Sequence, residues 1–197
     1  MKTLALDAMG VIYAARDDVT ELLCPFIHEH GGAANDGLIG VAYQGASLGC
    51  LTPVQFWGCV QLDPALEDAY LLRHVLSPGL VEFLRTAHEH FDYVWCLSND
   101  VSQWSRKPRE RFELSRYIDG FVISGDVRFR KPDAQIYRCL LHQAHIKAEN
   151  AVFVDDRPRN LDAAAALGFQ TVLFGPNGKE RSGHAVTTDF ARLLDYV

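Results

Sequence analysis

Four short apolar runs constrain this chain more than any other feature, because each one stops at a polar or acidic residue. Leu4-Ala5-Leu6 stops at Asp7, Tyr93 to Leu97 at Ser98-Asn99, Phe121-Val122-Ile123 at Ser124, and Ala151 to Val154 at Asp155-Asp156. Such runs lack polar alternation and are separated by stretches of helical periodicity. They read as strands buried on both faces, as in a parallel sheet. A further run, Gln170 to Phe174, reads as a fifth strand. Parallel neighbours need long crossovers, and from Ser77 onward the chain supplies helices between the strands. Pro78 to about His90 carries Leu80, Val81, Leu84 and Ala87 on one side. Pro132-Asp133 opens a helix with Ile136, Tyr137, Leu140 and Leu141, and Pro158 to Leu167 is Ala-rich and closed by Gly168. The expected fold is α/β, a Rossmann-like parallel sheet with helices on both faces.

Residues 16–76 interrupt this alternation. They lack strand patterning but contain helix starts: Asp17 or Asp18 as a cap, Thr52-Pro53, and Asp63-Pro64. The expected organisation is a catalytic core of residues 1–15 and 77–197, with 16–76 inserted after the first strand as a helical cap. Within the cap, Phe56 and Trp57 read as core, and Tyr43 and Gln44 as contacts to a pocket. Three further expectations follow from local composition. The helix after the second strand is interrupted at Pro108, Gly175 to Gly183 is a polar loop, and Thr187, Thr188 or Asp189 caps a last helix reaching Leu194.

The 197 residues suffice for a sizeable core, and the net charge of −6 disfavours nucleic acid or an anionic membrane as partner. Five irregularly spaced cysteines without a CxxC motif, most of them among apolar neighbours, fit buried thiols in a reducing cytosol and make a poor zinc set. No N-terminal signal pattern and no apolar run long enough to span a bilayer is present, so a cytoplasmic protein is expected. The basic cluster Arg106-Lys107-Pro108-Arg109 with Arg111 reads as a solvated face.

In one parallel sheet, the strand ends that carry Asp7, Ser98-Asn99, Ser124 and Asp155-Asp156 share an edge, with Lys131 nearby. Clustered carboxylates repel unless a cation joins them, and a hard cation such as Mg²⁺ suits oxygen donors. Lys131, Ser98 and backbone N–H groups can hold an anion such as phosphate. Asp7 can act as a nucleophile toward phosphorus.

These four segments resemble the motifs of the haloacid dehalogenase superfamily, in its phosphatase-like subgroup with a small helical cap. LALDAMGVI is similar to a first motif ending in Asp-x-Asp-Gly, CLSND to the second, Arg130-Lys131-Pro132-Asp133 with Ile136-Tyr137 to the third, and VFVDDRPRNLDAAAALGFQTV to the fourth. The resemblance implies that Asp7 is nucleophile and metal ligand, that Met9 gives its backbone carbonyl to Mg²⁺, and that Asp156 binds the metal directly. Asp155 would bind it through water or support it, Ser98, Asn99 and Lys131 would hold the transferring group, and Asn160 would support the fourth loop. The implied activity is a Mg²⁺-dependent phosphatase or phosphotransferase acting on a small phosphorylated metabolite through an aspartyl-phosphate.

Met9 departs from that pattern. The second Asp of the phosphatases protonates the leaving group and then activates water, and methionine does neither. Asp100, Tyr13 or a cap residue are candidates to replace it. The superfamily's 2-haloacid dehalogenases also lack this Asp, but they need no metal and lack the Asp155-Asp156 pair. Its phosphonate hydrolases use a cap lysine, and residues 16–76 contain none. Three readings stay open at this point: a metal-dependent phosphatase, a dehalogenase-like hydrolase, and a catalytically weak member serving in binding.

Overall fold

The computed structural model describes residues 1–175 and 183–196. Its sheet has the order β3-β2-β1-β4-β5-β6 with all neighbours parallel. The strands are β1 Thr3–Leu6, β2 Tyr93–Ser98, β3 Gly120–Ile123, β4 Ala151–Asp155, β5 Gln170–Phe174 and β6 Ala185–Thr187. The central β1 is buried along its whole length, as its uninterrupted apolar sequence requires. Leu4 and Leu6 pack on one face with Val94, Cys96, Val152 and Val154, while Ala5 faces the other with Leu97 and Phe153.

Between β1 and β2 the chain is helical: a π-helical turn Asp18–Leu23, then α1 Cys24–Glu29, α2 Asp36–Ser47, α3 Pro53–Cys59, α4 Glu67–Leu71 and α5 Leu80–Ala87. Beyond β2 come α6 Ser102–Arg111, α7 Ser124–Val127, α8 Ala134–Gln143 and α9 Pro158–Ala165. The starts are capped as the sequence implies. Asp17 accepts from the Thr20 N–H, Thr52 and Gln55 form a reciprocal capping box, and Asp133 accepts from the Gln135 N–H. Leu80, Phe83, Leu84 and Ala87 of α5 cover one sheet face, and Ile136, Tyr137, Leu140, Leu161 and Ala164 of α8 and α9 cover the other.

The helices from the π-helical turn to α4 have a core of their own, built from Phe26, Phe56, Trp57 and Tyr70, and Trp104 of α6 inserts into it. Glu67 accepts from the indole N–H of Trp104 at 2.7 Å and from Lys107 at 2.7 Å. Lys107 also bonds Asp68, and the Arg111 guanidinium donates to the carbonyls of Leu71 and His74. The basic cluster expected to be a solvated face is therefore in part a clamp on α4.

Three other expectations change. The α6 helix continues through Pro108, with helical bonds on both sides, Ser105 N–H to Val101 and Phe112 N–H to Pro108, while buried Trp104 anchors it. Thr187 belongs to β6, paired with β5 through the strand-forming Val186 and Thr187, while Asp189 accepts from the Arg192 N–H at 3.0 Å as a cap, but ahead of a 3₁₀ turn, Leu193–Tyr196, rather than a helix. Cys50 and Cys59 are exposed rather than buried. The expected polar loop lies almost wholly outside the described residues. Among the described residues, no helix is long and apolar enough to cross a membrane.

Candidate active site

Strand register sets the site. Leu6 pairs with Cys96 on one side and Val154 on the other, so Asp7 comes level with Leu97 and Asp155, and its N–H extends the ladder to the Val154 carbonyl at 2.9 Å. The chain runs outward from β1 to β3 on one side and from β4 to β6 on the other, so the strand order reverses between β1 and β4. Asp7 and Asp155-Asp156 flank that switch point, where open α/β sheets bind ligands.

The turn after Asp7 is tight. Gly10 has φ +76°, and a Cβ there would lie 2.6 Å from the Asp156 carboxyl carbon, so glycine is needed both for the turn and for the approach of Asp156. The turn engages the carbonyls of Asp7 and Ala8, whereas that of Met9 accepts no backbone hydrogen bond among the described residues.

Asp7, Asp155 and Asp156 are buried, and each offers an oxygen within 4.8 Å of the others. Lys131 reaches them from the segment before α8: its ammonium is 2.6 Å from Asp7 Oδ1 and 2.8 Å from Asp155 Oδ2. Asp155 is saturated further, accepting from the Asn160 amide at 2.9 Å and from the Arg157 N–H at 2.8 Å, while Tyr137 donates to the Asn160 carbonyl and fixes that residue. Asp156 is less satisfied. Arg16 donates to its Oδ2 at 3.0 Å, but its Oδ1 is buried with no hydrogen-bond partner among the described residues.

Burial, and next the charge of Asp155, pushes Asp7 well above the usual carboxylate range, against the pull of Lys131. Burial and Asp155 raise Asp156 in the same way. Burial opposes the charge of Lys131, but Asp155 and Asp7 outweigh it, so Lys131 stays protonated. Three carboxylates thus crowd together tightly enough to raise two of their number despite Lys131, Arg16 and Arg157 nearby, and their spare donors are hard oxygens, which fits a divalent ion such as Mg²⁺.

Asp7, Met9, Ser98, Asn99 and Lys131 line one cavity of about 580 Å³. The Asn99 side chain is engaged at both ends by the Lys131 backbone, at 2.7 and 3.0 Å. Ser124, expected at the same edge, is drawn away: its hydroxyl donates to the Ser47 carbonyl and accepts from the Asp100 N–H. The cavity also takes in Asp18, Tyr43, Gln44, Arg130, Arg157 and Arg159. Sequence reasoning missed Asp18 and Arg16 because it treated that stretch as a helix cap. The usable signal was Arg16-Asp17-Asp18 as three successive charges right after the first strand's turn.

A family model described as haloacid dehalogenase-like hydrolase matches residues 1–168. The ribulose-1,5-bisphosphate 5-phosphatase of Halopiger xanaduensis is 29% identical over 117 residues, 59% of this chain and 49% of that protein. The D-ribitol-5-phosphate phosphatase of Bacteroides thetaiotaomicron is 29% identical over 85 residues, 40% of this chain and 41% of that one. The chain thus spans half or less of these curated relatives. A family enzyme of Bacteroides thetaiotaomicron, solved with magnesium and inorganic phosphate, superposes with TM-score 0.76 at 18% identity, covering 92% of this chain and 98% of the other. With its parallel sheet, its edge cluster of carboxylates and a family match over most of its length, the chain belongs to the haloacid dehalogenase-like hydrolases.

Proposed function

We propose that this chain is a Mg²⁺-dependent phosphatase or phosphotransferase for a small phosphorylated metabolite, with Asp7 as nucleophile. The observation that carries the reading is the buried Oδ1 of Asp156 beside Asp7 and Asp155, which accepts no hydrogen bond among the described residues and has the Arg157 guanidinium only at 3.8 Å. On this reading Asp7, Asp156 and the Met9 carbonyl hold the ion, and Asp155, already engaged by Lys131 and Asn160, supports it. Bound Mg²⁺ supplies charge neutralisation at the phosphoryl oxygens.

An Asp7 carboxylate oxygen attacks phosphorus, and the bond from phosphorus to the leaving oxygen breaks. Lys131 orients that carboxylate and draws off the charge that develops. Ser98, buried at the end of β2, faces the phosphoryl group, and Asn99 acts by holding the Lys131 backbone. Helices from residues 16–76 serve as a cap, which the shared lining of Asp18, Tyr43 and Gln44 supports.

The proton step that Met9 lacks falls to Asp18. Tyr13 and Asp100 line a separate, very small cavity behind the strand ends, and burial holds the Tyr13 hydroxyl far above neutral. Asp18 lines the cavity that holds Asp7. It accepts from the Tyr70 hydroxyl at 2.6 Å and lies 3.3 Å from His74 Nε2. A carboxylate backed by an imidazole has the means to pass a proton to a leaving alkoxide and to take one from water.

The test is purified protein with p-nitrophenyl phosphate and with 2-chloropropionate, each with and without Mg²⁺. Phosphate release that needs Mg²⁺ is the expected result. Dechlorination without metal, or no turnover of any phosphate ester, would overturn the reading.

A further inference from the structure

The charged residues around the cavity fall into two groups. Lys131 is held by Asp7 and Asp155, Arg157 pairs with Asp17 at 2.6 Å, Asp18 sits between Tyr70 and His74, and Asp133 caps α8. Arg128, Arg130 and Arg159 line the same cavity and have no carboxylate partner among the described residues. Arg128 and Arg159 are exposed and lose little by this. Arg130 differs. It is half-buried, its Nη1 is fully enclosed with no acceptor among the described residues, and its guanidinium lies 5.7 Å from the centre of the Tyr43 ring.

An enclosed, unpaired N–H is a net cost, and one on a charged group costs more. Burial holds the Arg130 guanidinium below its usual range. Tyr43 and Asp100 oppose that, while the neighbouring charges of Arg157 and Arg159 add to it. The guanidiniums of Arg157 and Arg159 disfavour the charge on Arg130, a cost that an anion bound beside Arg130 would offset. The phosphoryl group attacked by Asp7 does not need them, since Lys131, Ser98 and the metal carboxylates already converge on it. Guanidinium forks match the planar or tetrahedral oxygens of carboxylate and phosphate. A cavity of about 580 Å³ lies within the range that holds a small metabolite, well beyond a single phosphate.

We propose that the cavity is shaped for a doubly anionic substrate, a short chain whose second phosphate or carboxylate is clamped by Arg130 with Arg159 and Arg128 against Tyr43. The identity of the reacting end rests on the phosphatase reading, and the clamp does not. Gln44 belongs to the same lining. Arg130 is thus a specificity residue that fixes the length and charge of the leaving portion.

The probes are α,ω-bisphosphates of two- to five-carbon diols, the matching ω-phosphocarboxylates, and the alkyl monophosphates of the same lengths. Binding is measured by calorimetry in the Asp7→Asn protein, where turnover cannot intervene, and again with Arg130→Gln and Arg130→Lys added. One chain length should bind about tenfold or more tightly as the doubly charged compound than as the monophosphate. Which of the two doubly charged series wins identifies the second group. Arg130→Gln should remove most of that preference and Arg130→Lys only part of it. Removing an unpaired buried charge should not lower Tm, whereas a purely structural Arg130 would lower it and weaken all probes equally. Equal binding of singly and doubly charged probes, or an equal loss on both in Arg130→Gln, overturns the clamp. Selective binding of a probe from which the wild-type protein with Mg²⁺ releases no phosphate would instead sink the phosphatase reading and leave the clamp standing.

Discussion

Replacing Lys131 with methionine separates what the cation does for the fold from what a metal would do at the same place. The ammonium lies 2.6 Å from Asp7 and 2.8 Å from Asp155, and the three side chains are 1%, 9% and 0% exposed. Methionine keeps an unbranched chain of similar length but leaves two buried carboxylates without their shared cation. Breaking a buried ion pair from one side costs about 3–5 kcal/mol. Two relaxations favour the low end: burial already pushes Asp7 toward protonation, and Asp155 keeps its bonds from Asn160 and Arg157. In a chain of this size each kcal/mol moves Tm by about 2–4 °C, so Lys131→Met should melt roughly 6–12 °C lower without metal. Added Mg²⁺ should restore more in the variant than it adds to wild type, because the carboxylates are then more negative. At a hundredfold excess over its Kd, a bound ion contributes about 2.7 kcal/mol. The assay is Tm near neutral pH in EDTA and across a Mg²⁺ series. A metal-free Tm unchanged from wild type would refute the claim that Lys131 balances the cluster. An equal Mg²⁺ gain in both proteins would refute the claim that the cation and the dication address the same oxygens.

Asp7→Asn should abolish turnover with Tm equal to or above wild type, since it removes a charge that burial already disfavours; residual activity within a few-fold of wild type would remove Asp7 as nucleophile. Asp18→Asn should cut steady-state turnover of alkyl phosphates by about 10²–10⁴ while sparing the first burst of nitrophenolate, whose leaving oxygen needs no proton, and equal losses would count against Asp18 as the acid. Adding Met9→Asp to that variant should recover turnover by roughly tenfold or more, measured as kcat. Burial, with Asp18 next, pushes Asp100 up to about 7, and Asp18 lifts His74 despite its burial. Both groups bind more protons folded than unfolded, so stability is lost as pH rises through their folded values. Metal-free Tm should therefore climb as pH falls from about 8 to about 6, at no more than about 1.4 kcal/mol per pH unit per group, and Asp100→Asn should flatten the climb; a higher Tm at the alkaline end would contradict this.

The parallel sheet was legible because its strands are local: four residues of unbroken apolar sequence in β1 can be satisfied only with both faces covered. The edge cluster was legible because each of its carboxylates ends a strand. The rest depends on contacts far apart in sequence. Nothing near Lys107 announces that Glu67 waits for it 40 residues away. Ser124 has the local pattern of a site residue, yet Ser47, 77 positions away, takes its hydroxyl. Pro108 has a helix-breaking signature that Trp104, buried among the helices before it, overrides. The β6 strand was missed because three residues of it carry little periodic signal and its pairing with β5 supplies the backbone partners.

Met9 also says something about how the two layers of the molecule depend on each other. A phosphatase with both acids on the sheet edge keeps its chemistry complete whatever the helices above it do. With the acid on Asp18, the chemistry is complete only while the π-helical turn sits over Asp7. Arg157 to Asp17 and Arg16 to Asp156 tie that turn directly to the fourth strand's loop. The Glu67, Lys107 and Trp104 contacts tie the far end of the helical segment to α6. On this reading those ion pairs hold a reacting group in register as well as joining two layers. Arg16 has a second consequence, because it donates to a carboxylate that a metal would also claim. On this reading metal binding would loosen the Arg16 tie, leaving Arg157, bonded to the Asp17 carboxylate and the Arg16 carbonyl, to hold residues 16–18 to the fourth strand's loop. On this reading the departure at Met9 moves the sensitive point of the site from the end of the first strand to the joint at residues 16–18.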